Sequence, residues 1–181
     1  MYDTRPVQTN PMKGIWADMQ YIIAPDLAWN ASGFVRMIIN HRQYVTLVPK
    51  KMNLALRISF QQKILGKLPF YMLPLLYNSP PYNTYDGLGG ARSLRGILRN
   101  RLVGEGYLFG NLECRYKFYH LTIMKQHMYF AVSSFFDSGR VTKQVSFPNN
   151  NLTDEAKTYL AKGKKETFHH TAGIGLHLAI N

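Results

Sequence analysis

The chain is short of three things, and each shortage excludes a class of protein. It has one cysteine, Cys114, in 181 residues, which rules out an internal disulfide framework and any multi-cysteine metal site. It has no long hydrophobic run. Apolar stretches are broken by Arg, Lys or Gln well before the roughly 18 consecutive apolar residues of a membrane helix, so a helical membrane protein is excluded. It is also poor in acid, with 10 Asp plus Glu against 22 Lys plus Arg, a net charge of +12. Charged residues of both signs make up only 18%, below the roughly 25% of ordinary soluble domains. The opening Met1-Tyr2-Asp3-Thr4-Arg5-Pro6 lacks the basic start and apolar middle of a signal peptide. Two expectations follow: a cytoplasmic protein, or an interior piece of something larger.

What the chain has in quantity is apolar and aromatic. Hydrophobic residues reach 46% and aromatics 13%, with 12 Tyr and 10 Phe. That is enough to bury a core and too much for a disordered chain.

The dominant pattern is alternation. Met52, Leu54, Leu56, Ile58 and Phe60 are separated by Asn53, Ala55, Arg57 and Ser59, which puts one apolar and one polar face on an extended strand. Leu108 to Phe118, Met128 to Phe136 and Ala172 to Ile180 repeat the pattern, and Ile15 to Ile23 and Val35 to Ile39 carry it less cleanly. The reading is an all-β chain, an antiparallel meander of about six long strands near 13–24, 33–48, 52–64, 107–118, 127–138 and 168–180. Each is at least as long as the roughly 9–11 residues of a tilted membrane-spanning strand, against roughly 5–6 for an average strand. Short turns near 48–51 and 119–126 alternate with long loops at 66–106 and 139–167 and a shorter one at 24–33. Short turns on one side and long loops on the other describe a transmembrane β-barrel. A soluble sandwich with its apolar face inward shows the same alternation, and the pattern alone leaves both open. One helix is expected over 150–163, capped by Asn151 or Thr153, with Leu152, Ala156, Tyr159 and Leu160 as its apolar stripe. Its expected role is packing on the loop side.

Three local signatures follow one another in order. Tyr2-Asp3-Thr4-Arg5 with Pro11-Met12-Lys13-Gly14 forms a tight turn into a strand. Gly89-Gly90-Ala91-Arg92-Ser93-Leu94-Arg95-Gly96 lies in the longest loop, after Pro69-Phe70-Tyr71-Met72-Leu73. Phe135-Phe136-Asp137-Ser138-Gly139 closes a strand, and Gly110-Asn111-Leu112-Glu113-Cys114-Arg115 stands between the last two. Together they resemble the C-terminal barrel of the BamA/TamA superfamily, the surface-antigen proteins that insert or translocate polypeptides at outer membranes. The resemblance runs from Tyr2 to about Ile180.

The resemblance implies a partial surface-antigen-type barrel domain over 1–181, with the loop at 65–106 folded into the lumen. Leu94-Arg95-Gly96 matches the family's loop motif; Phe135, Asp137 and Gly139 match its strand motif; Glu113 matches the acidic residue on the strand after the loop. It implies an interior section of a roughly sixteen-strand barrel, without the first strands, the last two or the periplasmic domains. Function by resemblance is non-enzymatic assembly or transport of polypeptides at the bacterial outer membrane. The partners implied are the lipid bilayer, outer-membrane or secreted polypeptide substrates and other barrel-assembly components. A passive structural or porin-like barrel is the alternative inside membranes.

The alternation puts Glu113 and Asp137 on polar strand faces, where a guanidinium offers carboxylates a matching donor fork. Arg95 is therefore expected to pair with Asp137, with Glu113 nearby, and Gly96 to let the loop tip turn sharply.

Other chemistry is thinly signalled. Asp86-Gly87-Leu88-Gly89-Gly90 lacks the Gly-Lys-Ser/Thr ending of a phosphate loop. His169 and His177 share a face but stand about 26 Å apart in a strand, and His169 and His170 point oppositely, so no metal site is expected. No cofactor and no catalytic residue is signalled, and Cys114 reads as inert packing. Basic residues interleave with aromatics, as in Arg115-Tyr116-Lys117, so a soluble basic nucleic-acid-binding β-protein is the rival outside membranes. Arg36, Arg42, Arg57 and Arg115 spread over the polar faces of different strands, which suits a water-filled lumen equally.

Overall fold

The computed structural model describes residues 1–8, 10–26, 33–77, 84–123, 126–145 and 166–180. They form one antiparallel seven-stranded sheet and a small hairpin, with no α-helix among them. The strands are β1 (Tyr2–Asp3), β2 (Gly14–Ala24), β3 (Phe34–Val48), β4 (Met52–Gly66), β5 (Leu75–Tyr77), β6 (Thr84–Asp86), β7 (Gly106–Ile123), β8 (Gln126–Lys143) and β9 (His169–Ile180). The sheet order β1-β2-β3-β4-β7-β8-β9 is that of a meander. The helix expected over 150–163 lies outside the described residues.

Two details depart from the sequence reading. A seventh strand, β1, adds to the six expected; its two residues pair with Ala17 and Trp16 and are too few to show alternation. The β7–β8 hairpin is also longer, each strand running 18 residues, so 119–123 continues the strand where a turn was expected. The alternation there breaks because of a register shift between Lys117 and Tyr119; a bulge changes which residues share a face.

The faces decide between sandwich and barrel. The apolar face of the strands is the exposed one: Met19, Tyr21 and Ile23 on β2, Ile58 on β4, Leu112 on β7, Phe136 on β8, and Ile174, Leu176 and Leu178 on β9. The polar face is the buried one, with Arg36, Asn40, Asn53, Ser59, Gln61, Ser133 and Asp137. A soluble sandwich would have the reverse. Apolar-out, polar-in is the arrangement of a membrane barrel wall.

What covers the polar face is the chain between β4 and β7. Leu76, Leu88, Leu94 and Leu102 from this segment are buried with Tyr107, Phe109 and Val141 of the strands. Gln61 holds the β5–β6 hairpin by accepting from the Tyr77 backbone N–H at 3.0 Å and donating to its carbonyl at 2.6 Å. Tyr107 donates its hydroxyl to the Leu73 carbonyl at 2.6 Å. At the loop's exit, Lys63 pairs with Glu105 at 2.6 Å.

Candidate functional site: a loop arginine clasped on the lumen face

Two rungs of the sheet build the site. Trp16, Arg42, Arg57, Asn111, Asp137 and Thr171 are successive partners across β2, β3, β4, β7, β8 and β9, and Gly14, Tyr44, Ala55, Glu113, Phe135 and Gly173 form the rung two residues on. Side chains two apart on a strand share a face, so both carboxylates lie on the lumen side among aromatic and cationic neighbours.

The loop delivers Arg95 onto these rungs. Leu94, fully buried in the loop core, anchors it one residue earlier. Gly139 clears the way: a Cβ there would stand 2.8 Å from Phe109 Cβ and 3.0 Å from Leu94 Cδ1. Gly96 turns the chain immediately afterwards with φ +86°, a region that strains a residue with a Cβ. Upstream, Ser93 Oγ bonds both the N–H and the carbonyl of Gly89, and Asn111 donates to the Ser93 carbonyl at 2.6 Å.

Arg95 then spends every face of its guanidinium. Nε and Nη2 donate to the two Asp137 oxygens, both at 2.8 Å, and the Arg95 backbone N–H adds a 3.0 Å bond to Oδ2. Nη1 donates to Glu113 Oε2 at 2.6 Å. The Arg95 carbon Cζ lies 3.6 Å from the Phe135 ring centroid. Hydrogen bonding to Asp137 raises the Arg95 pKa above its ordinary value, so the loop tip stays cationic. Bidentate and charge-assisted bonds are the strong class of hydrogen bond, and the Asp137 side chain is fully buried.

The seven residues singled out in the sequence therefore meet in one cluster: Leu94, Arg95 and Gly96 from the loop, Glu113 from β7, and Phe135, Asp137 and Gly139 from β8. For other residues on the lumen face the sequence showed the face but not the partner. Arg115 Nε donates to Glu113 Oε1 at 2.7 Å, so Glu113 bridges two arginines. Arg36, fully buried, donates to the Met72 carbonyl at 3.3 Å and lies 5.3 Å from the Tyr77 ring centroid. Gly173 supports Phe135 from β9; a glycine inside a strand does mark close approach, but not of which side chain. Among the described residues no group of three or more His, Cys, Asp or Glu is placed to hold a metal ion.

An outward apolar wall of long antiparallel strands, carrying a long loop folded onto its polar face and locked by one arginine, is the section of an outer-membrane β-barrel with an internal loop. The whole chain, residues 1–181, matches the Omp85 superfamily domain, and it belongs to that superfamily, which includes the BamA/TamA proteins it resembles. No curated protein and no solved structure matches it.

Proposed function

We propose that this chain serves as the loop-bearing part of an Omp85-type barrel that inserts or translocates polypeptides at the bacterial outer membrane, without covalent chemistry. The observation that carries the reading is the Arg95 clasp on Asp137 and Glu113. A passive pore gains from an open lumen, whereas here the described residues between β4 and β7 (67–77 and 84–105) pack Leu76, Leu88, Leu94 and Leu102 against the lumen face and are held by an ionic lock. Such a lock shapes the barrel interior and gives it an element that can be released. Its partners in this reading are the bilayer, unfolded outer-membrane or secreted polypeptides and other assembly components.

The test uses lipid vesicles carrying the chain and a urea-unfolded outer-membrane β-barrel protein as substrate. The expected result is faster folding of the substrate than in empty vesicles, reduced toward the empty-vesicle rate by Arg95→Ala. Solute leakage without any acceleration of folding would instead make the chain a porin-like barrel.

A further inference from the structure

On β8 the outward apolar face ends in a charge. From Met128 to Phe136 the outward positions are apolar but for Ser134, a run of nine residues, close to the roughly 9–11 that cross a bilayer as a tilted strand. Ser138 and Arg140 follow on the same face. Arg140 has Leu108 as its register partner on β7, while its chain neighbour Val141 points the other way, into the loop core. An arginine on the lipid-facing side of a barrel wall is costly within the hydrocarbon and tolerated at its edge, where the charged head reaches the polar layer.

A ladder of rings leads from the apolar band to this charge. Phe136 stacks on His170 of β9, with centroids 5.7 Å and planes 18° apart. His170 stacks in turn on Phe168, at 6.1 Å and 16°, and Arg140 Cζ lies 5.3 Å from the Phe168 centroid. Phe136, Phe168 and His170 are exposed, so the ladder lies on the outer surface of the wall. Aromatic side chains on that surface mark the level where hydrocarbon gives way to headgroups.

The donors at the end of the ladder lack acceptors. Arg140 Nε is shielded from water and has no hydrogen-bond partner. Arg140 makes no ion pair among the described residues, and the nearby carboxylate of Glu166 bonds His169 instead, at 2.7 Å. A shielded donor without a partner calls for an acceptor that the chain does not supply. On the lipid-facing side that acceptor is a phosphate, whose oxygens match the guanidinium fork. We propose that Arg140 and His170 hold the phosphate of an anionic lipid headgroup at the loop-side edge of the wall, with the acyl chains running down past Phe136 and Ile174. The proposal rests on the apolar face being the lipid-facing wall, and not on transport.

The experiment reads lipid contact at the site itself. The full chain in phosphatidylcholine vesicles is titrated with phosphatidylglycerol carrying a photoreactive group high on one acyl chain. Phosphatidylcholine with the same label is the control, and inorganic phosphate is the competitor. The expected result is crosslinking of the glycerol lipid to 136–140 and 168–170, several-fold above the choline lipid, weakened by salt and unchanged by equimolar phosphate. Arg140→Gln should weaken it about fivefold, the size of one cationic residue at an anionic membrane surface. Lys117→Gln removes the same charge from the inward face, where Lys117 lies over the Tyr129 ring, and should leave it unchanged. The crosslink map of the unmutated chain stands whether or not the variants fold. Equal crosslinking by both lipids, displacement by equimolar phosphate, unchanged crosslinking in Arg140→Gln, or crosslinks confined to the short-turn end would each overturn the proposal.

Discussion

The Phe135 ring on β8 lies across Gly173, its register partner on β9, so closely that a Cβ at Gly173 would stand 2.5 Å from the ring carbon Cζ. The missing side chain leaves room for the ring, and the ring in turn carries the Arg95 guanidinium. A residue with no chemistry of its own therefore sets the floor of the ionic lock.

Gly173→Ala should accordingly destabilise the chain by about 1–3 kcal/mol, the usual cost of forcing extra atoms into a filled site. Gly175→Ala is the comparison: its Cβ would meet Ser133 Oγ at 3.0 Å and His177 Nε2 at 3.2 Å, polar ends away from the lock. Urea unfolding measures both, and protease cleavage after Arg95 should rise only in the Gly173 variant.

Removing one partner of the lock should cost more. Asp137→Ala leaves Arg95 with Glu113 alone and strips its bidentate bond, and breaking a buried pair costs about 3–5 kcal/mol. Arg95→Lys keeps the charge but loses the fork and should fall between wild type and Arg95→Ala. The exchange Arg95→Asp with Asp137→Arg restores opposite charges; if it recovers none of the lost stability in urea unfolding, the pairing is not what holds the loop.

Gln61 bonds the backbone of β5 at both its donor and its acceptor. Gln61→Leu removes both bonds to the Tyr77 backbone and should cost about 1–3 kcal/mol, because a buried backbone donor and acceptor lose their partner. Amide exchange at Tyr77 should quicken strongly while that of Leu112 stays slow.

The outward face should resist charge and the inward face tolerate it. Leu112→Arg on β7 is expected to cost about 2–4 kcal/mol if it lies at the bilayer midplane, and the inward Lys117→Glu on the same strand, with Arg115 beside it, much less. Folding yield into vesicles, read by the shift in electrophoretic mobility of unheated samples, checks the difference. Equal losses at both positions would contradict the assignment of faces.

Much of this architecture was legible because alternation is local. A strand's two faces follow from the period of two, so Ile58 against Arg57, or Leu112 against Glu113, can be sorted from neighbours alone. The motif residues Leu94, Arg95 and Gly96 were likewise readable as a unit, and the polar-face positions of Glu113 and Asp137 already made them the carboxylates an arginine could reach. The outward direction of the apolar face was not legible, since the same alternation serves a sandwich and a barrel wall.

By itself, then, the sequence determined the six long strands and their meander and, through the family resemblance, the three partners of the lock. Tertiary structure alone decided the rest. Phe135 meets Gly173, and Arg42 meets Arg57, only because β8–β9 and β3–β4 pair in one register, and register depends on turns and bulges such as those at Val35/Arg36 and Thr46/Val48. Gly139 and Leu94, 45 positions apart, come within contact because the loop docks as a body on its own leucine core. Pairings between residues far apart in the chain are set by how whole elements pack, which no local pattern records.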